Sequence, residues 1–463
     1  MKTENASLDG LPDELVLEIL SYLMTARSYE TQSTDFKNKE KEKKRQFENR
    51  ARQQSLRSVC LTSRHMNRIA APILYASFTG AATRHGLEPL KLFHQRTVAS
   101  DISNNKRIEY LQYVEVRLED DQGNSLHADT FEAGTVYQAA HYFRLLAEVI
   151  NRARNLQHLS LVILETDSVS FWKHIITVES TTAALTQMTV AGHGFDKLRT
   201  VCLQMHISLS IDHSSGSFDQ ICSVMSRAPL LSDFRAHGVA IFALPDQLSE
   251  LGTFSMPKRM ELTESMLEMG EIAKILWACK ELRRVVCTWA FLDHGSGTPR
   301  DLYIALLRHN GSLESLHLDF REVRSAEDLD ESQCFGTLLP FNCLKTLAIS
   351  ENGFLGLSAP FHAGMSPGPG QPTKPPLPSM AKLLPQCLTS FAMLIGYDLH
   401  GMPFPSPDES CDLWDWAAEY ASSNLNLERF SVNGDFNGKC ARYLTDAFLD
   451  MGVEFEVNDF GRT

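Results

Sequence analysis

Residues 313 to 318 read L-E-S-L-H-L, an apolar residue followed three and five positions later by two more. The last two apolar positions alternate with a polar one, which is the period of a strand with one buried face. The same spacing recurs in both directions along the chain. Upstream it is met at Leu111, Val114 and Val116; Leu156, Leu159 and Leu161; Leu198, Val201 and Leu203; Leu231, Phe234 and Ala236; and Leu282, Val285 and Cys287. Downstream it returns at Leu344, Leu347 and Ile349; Leu388, Phe391 and Met393; and Leu427, Phe430 and Val432. Each copy is read as a strand.

Stretches with apolar residues at three- and four-residue steps precede several of these strands and predict helices over 136–153, 218–227, 265–279, 301–309 and 413–421. A unit of one helix and one short strand cannot bury its own apolar face, so neighbours must stack. The expected fold class is α/β, with a parallel strand array and the helices on its outer, convex side. The pattern L-x-x-L-x-L resembles the leucine-rich repeat, in an irregular form. Copies start roughly 30 to 50 residues apart, longer than the usual period, and most lack the Asn or Cys that follows the strand in that family. A generic helix-strand domain is the plain alternative.

A different pattern opens the chain. In L-D-G-L-P-D-E-L-V-L-E-I-L-S-Y-L, residues 8 to 23, Pro12 is read at the first helical position, where its missing N–H costs nothing, and Asp13 and Glu14 favour the positive end of the helix dipole. Leu11, Leu15, Val16, Ile19, Leu20 and Leu23 recur at helical spacing and are read as one apolar stripe. A second apolar set follows at Leu56, Val59, Cys60 and Leu61, then Ser63 as a cap, then a third at Met66, Ile69, Pro72, Ile73 and Leu74. Three helices of this size close only a small core, so the unit is expected to share apolar surface with a partner.

This ordering of positions resembles the F-box. The resemblance implies a short N-terminal all-helical F-box-like hook (8–75) followed by a helix-strand leucine-rich-repeat-like solenoid with a parallel strand array (100–463). It also implies that an adaptor of the Skp family, and through it a cullin scaffold, binds at Leu11, Pro12, Leu15, Ile19, Leu20, Leu23, Leu56, Val59, Cys60, Pro72 and Leu74. The chain would then be a substrate receptor of a ubiquitin ligase. About thirty residues separate the first two hook helices, where the family has only a few. This insertion, at about 24–54, shows no apolar stripe and overlaps a basic stretch from Lys37 to Arg57 with nine Lys or Arg against three Glu. It reads as a solvated helix extension or a mobile loop, dispensable for folding, and a nuclear-import role for Lys41, Lys43, Lys44 and Arg45 is the less favoured alternative.

A formal charge of -13 argues against nucleic acid as a partner, because phosphate-binding surfaces depend on clustered Lys and Arg. No apolar run approaches the roughly 18 to 20 residues that span a membrane, and no signal-peptide core opens the chain, which places the protein in the cytoplasm or nucleus. The ten Cys include no C-x-x-C pair and read as buried free thiols. No cofactor or metal is expected. One formal G-x-S-x-G match around Ser366 falls in the Pro/Gly-rich loop at about 358–378, away from the strand-to-helix turn a nucleophile needs. The chain is therefore not expected to be an enzyme.

Side chains alternate along a strand, so the residues between the buried apolar positions should share the opposite face of the array. His158, Gln204, Arg235, Arg284, His317, Asp319 and Arg429 are the candidates there for binding a target protein. Their mixed charge suits an unidentified protein substrate better than a nucleic acid. A repeat scaffold with no ligase role is the alternative function.

Overall fold

The computed structural model describes residues 10–27, 39–82, 85–99, 106–117, 133–163, 193–205, 217–226, 228–239, 256–290, 292–293, 297–324, 333–350, 382–394, 418–424, 426–433 and 445–458. The chain divides into two compact units, Met1–Ala236 and His237–Thr463. The Pro/Gly-rich loop, Ser366 and the positions 413–417 of the last expected helix lie outside the described residues.

The first unit opens with three helices: α1 (Asp13–Ser21), α2 (Lys39–Thr62) and α3 (Arg64–Leu74). Pro12 stands one place earlier than expected, at the N-cap in extended conformation, and its carbonyl accepts from Leu15 and Val16. Ser63 caps α3 as the sequence predicts, its side chain accepting from the Met66 N–H at 3.1 Å. After α3 come β1 (Ser77–Ala81), α4 (Leu87–His94), β2 (Tyr113–Arg117), α5 (Ala133–Arg152), β3 (His158–Ile163), β4 (Thr200–Met205), α6 (Ser217–Met225) and β5 (Asp233–His237). Strands β1 to β4 pair in chain order, and every pair is parallel.

The second unit continues the alternation with β6 (Arg259–Ser265), α7 (Met269–Ala278), β7 (Arg284–Trp289), β8 (Leu292–Asp293), α8 (Pro299–Leu307), β9 (Ser315–Asp319) and β10 (Val323–Arg324). Four further strands complete it: β11 (Thr346–Ser350), β12 (Ser390–Leu394), β13 (Arg429–Asn433) and β14 (Glu454–Asn458). Its sheet runs β6-β7-β9-β11-β12-β13-β14, again parallel throughout, and the two-residue strands β8 and β10 pair with each other. The chain is thus α/β with parallel strands. No described helix is long and apolar enough to cross a membrane.

All nine L-x-x-L-x-L copies fall where a strand begins, and none of their 27 apolar residues is more than 5% exposed. In most copies the first leucine closes a turn: the N–H groups of Leu156, Leu198, Leu231, Leu344 and Leu427 donate to the carbonyl three residues back. One residue further on, a single carbonyl joins most copies to the next. Gln112 accepts from both Gln157 and His158, Gln157 from Arg199 and Thr200, and Arg283 from Glu314 and Ser315. Glu314 then accepts from Lys345 and Thr346, and Lys345 from Thr389 and Ser390. Five strands escape the sequence reading: β1, β6, β14 and the two-residue β8 and β10.

The observed helices match four expected ones within a few residues, except that Ser265 to Leu267 belong to β6 and the turn after it. Thr298 and Asp301 form a capping box at α8, with Pro299 inside the first turn. Gly297 is left-handed at φ 87°, and a Cβ there would stand 2.4 Å from the Gly270 nitrogen, so no other residue fits. Toward the C-terminus, Phe391, Phe430 and Phe455 from three successive strands approach at 5.4 and 5.9 Å between ring centroids. Replacing Leu316, fully buried in β9, by Ala should destabilise the second unit by about 2–5 kcal/mol, whereas Leu449→Ala, at an exposed site, should be near neutral. Urea denaturation of the two variants checks the contrast.

Candidate functional site

The small helical unit shows two apolar faces where the sequence predicts one. Val16 and Leu20 on α1 meet Leu56 on α2 and Met66, Ile69 and Ala70 on α3 in a closed core, with Leu23, Val59, Cys60, Ile73 and Leu74 packed around it. Offset by one residue, a second stripe runs outward. Leu11, Leu15, Ile19 and Tyr22 are 37%, 47%, 46% and 76% exposed. Their spacing of four, four and three residues places them along one side of the helix. Leu17 and, at the end of α2, Leu61 are exposed as well.

The eleven positions singled out for adaptor binding therefore divide. Leu20 and Leu56 hold the hook together from inside, while Leu23, Val59, Cys60, Pro72 and Leu74 are half-buried. Leu11, Pro12, Leu15 and Ile19 present themselves to solvent. Tyr22, Leu17 and Leu61 belong to the exposed set and were missed; the first is recoverable from its helical spacing to Leu15 and Ile19. Asp13 ties α1 to α3 through Arg68 at 2.8 Å and His65 at 3.3 Å, at an exposed position where such pairs contribute little.

Over 39–54 the insertion is the helix extension that the sequence offers, forming the first part of α2, but it is not wholly solvated: Arg45, Asn49 and Gln53 turn inward. Asn49, buried, accepts from the Ala26 N–H and donates to the Ala26 carbonyl at 2.7 and 2.9 Å. Gln53 donates to Thr79 on β1. Arg45 bridges Glu42 and the β2 carboxylate Glu115, which also receives Arg117 at 3.3 Å and the Tyr113 hydroxyl. Arg45 is thus engaged within the fold, which removes it from the basic run considered for nuclear import. Burial raises the Glu115 carboxyl, but the two guanidinium groups and the Tyr113 hydroxyl outweigh it and hold the acid below its ordinary range. Burial and the neighbouring Glu115 together push the Tyr113 hydroxyl well above the usual tyrosine value.

On the strand face opposite the apolar core, the expected columns form. Across β1 to β4, Ser77, Tyr113, His158 and Thr200 stand in register, followed two residues on by Thr79, Glu115, Ser160 and Cys202. In the second unit Arg259, Arg284, Ser315, Thr346, Ser390, Arg429 and Glu454 form one column, and Glu261, Val286, His317, Ala348, Ala392, Ser431 and Glu456 the next.

The seven target-binding candidates differ in availability. Arg235 is buried and bound by Asp233, against the expectation of an exposed residue, because the long side chain folds back along its own strand. Arg284 donates to Glu261 at 3.1 Å, Arg429 pairs with Glu454 at 3.1 Å, and Asp319 holds Arg321 at 2.7 Å. Burial would raise the Asp319 carboxyl, but Arg321 outweighs it and lowers it. Gln204 and His158 are half-buried. His317 Nε2 is buried with no hydrogen-bond partner among the described residues, and burial lowers the basicity of its ring. Cys279 and Cys287, sealed in the core, have thiols pushed up to about 12 by burial and act as small apolar side chains. Among the described residues no three His, Cys, Asp or Glu side chains group to hold a metal ion.

Arg45→Met should destabilise the first unit by about 3 kcal/mol, because it leaves the buried Glu115 with half its compensation. Glu115 is depressed in the folded state, so its contribution is present above the unfolded carboxylate value of about 4.3 and is lost as the pH falls through the lower folded one. In the Arg45 variant that depression shrinks, and acid unfolding followed by circular dichroism should move to higher pH. Neither the family models nor the curated proteins provide a match to this chain.

Proposed function

We propose that this protein is the substrate-recognition subunit of a Skp-cullin-F-box type ubiquitin ligase, with a leucine-rich-repeat-like body that holds the target. The observation that carries this reading is the outward stripe of Leu11, Leu15, Ile19 and Tyr22 on a three-helix unit whose core is already closed by other residues. Aligned exposed apolar side chains on so small a unit mark a protein-docking face. Its order of positions resembles the F-box, which implies a Skp-family adaptor as the occupant. The polar strand face, with its ion pairs and half-buried histidines, supplies the second binding surface.

Such a receptor needs no nucleophile or general base. Its contribution is effective concentration: a target held on the body brings its lysines to a ubiquitin-charged enzyme held through the adaptor and the cullin. Because Leu15 and Ile19 lie outside the hook core, changing both to Asp should leave the far-ultraviolet circular dichroism and the melting temperature unaltered. It should weaken adaptor binding by more than about 100-fold, the scale of two apolar anchors lost. Full binding by this variant in a pull-down with purified adaptor would leave the chain as an interaction scaffold without a ligase role. Affinity purification under proteasome inhibition, comparing the intact protein with one lacking residues 8–75, should recover cullin with the former alone.

A further inference from the structure

Several arginines among the described residues hold no carboxylate, and two of them, Arg27 and Arg199, lie close to one histidine. Arg27, six residues after α1, lies over the Tyr113 ring with its guanidinium carbon 5.7 Å from the centroid. The Tyr113 ring in turn meets the edge of His158 at 6.4 Å, and His158 is the register partner of Thr200, the residue directly after Arg199. Adjacent strands lie about 4.8 Å apart, so these groups occupy neighbouring positions at one end of β2, β3 and β4. Neither Arg27 nor Arg199 pairs with a carboxylate among the described residues.

The acids closest along the sheet are spoken for. Glu115 is held by Arg45 and Arg117, and Asp233 by Arg235. His158 feels this surplus of positive charge. Burial, then Arg27 and Arg199, lower its pKa to about 4, with no acid opposing them. At neutral pH the ring is therefore uncharged and keeps one N–H to donate. The group is reachable, since Arg199 is exposed and Arg27, His158 and Thr200 are half-buried.

We propose that Arg27 and His158, set on either side of Tyr113, together with Arg199 at the residue before β4, bind an oxyanion carried by the target protein. Assigning the anion to the target rests on the receptor reading above. The chemistry fits a phosphate monoester or a carboxylate: two guanidinium groups offer charged donors, and the stacking of Arg27 on Tyr113 holds one of them in place before the ligand arrives. A nucleic acid fits poorly, because the two guanidinium groups of this site, on a chain of net charge -13, cannot neutralise a run of phosphates.

The test uses the full chain and three immobilised pools of random peptides, identical except for a central phosphoserine, glutamate or serine. Retention of the protein on the phosphoserine or the glutamate pool should exceed that on the serine pool at least tenfold, and whichever pool prevails identifies the source of the oxyanion. The preference should vanish in the R27Q/R199Q variant and survive in part in R27K/R199K. If the double variant does not fold, Arg199→Gln alone, at an exposed position, should cut the preference severalfold. Equal retention on all three pools, or a preference that the substitutions leave intact, overturns the proposal. Adaptor binding measured on the same samples separates the two ideas: its loss from the unmodified chain would remove the ligase reading while an anion preference stands.

Discussion

Most of the parallel strands depend on a neighbour through one carbonyl. The residue before a strand accepts two N–H groups from the next copy, as Gln157 does from Arg199 and Thr200, and Lys345 from Thr389 and Ser390. That pair of bonds sets the register, and the register aligns the three apolar residues of one copy with those of the next. A five-residue strand alone would leave its apolar side in water. Stacked in parallel, successive triplets cover one another, and helices such as α5, α7 and α8 complete the burial. The polar face follows without further instruction, because a strand that sends alternate side chains inward must send the others to the opposite side.

The N-terminal helices are attached to this array by a second device. Glu115 is a buried acid on a strand, a position that would be costly without compensation. Arg117 supplies part of it from the same strand, and Arg45 supplies the rest from α2, a helix that also holds the chain at Ala26 through Asn49. The apolar side of α1 is then divided between a closed core and an open stripe. The first unit thereby carries both an exposed apolar helix face and a polar strand face with uncommitted arginines. Those are the two surfaces on which the proposed receptor reading rests.

The second unit uses its polar face differently. Arg259 and Arg284 share Glu261, Asp319 takes Arg321, and Arg429 takes Glu454. Exposed pairs such as Arg429 with Glu454 contribute little stability, while those against the buried Glu261 keep an acid compensated. Between them, β11 and β12 place Thr346, Ala348, Ser390 and Ala392 in register, a stretch without charge.

The sequence by itself determined the strand copies that keep all three apolar residues, because alternation along a strand is a local property and every such copy has the same environment. It also determined the three N-terminal helices, through the cap at Ser63 and the apolar spacing of α1 to α3. It was silent where one member of the triplet is replaced. In β1 the third place is Gly80, in β6 the first is Pro257, and in β14 the first is Gly452, yet parallel neighbours already in register hold all three strands. Only the tertiary structure decided which side of α1 faces outward, since both of its stripes are apolar and run at helical spacing. Only the tertiary structure placed Arg45 against Glu115: seventy residues separate the two, and nothing near either one in the chain distinguishes a buried ion pair from two solvated charges.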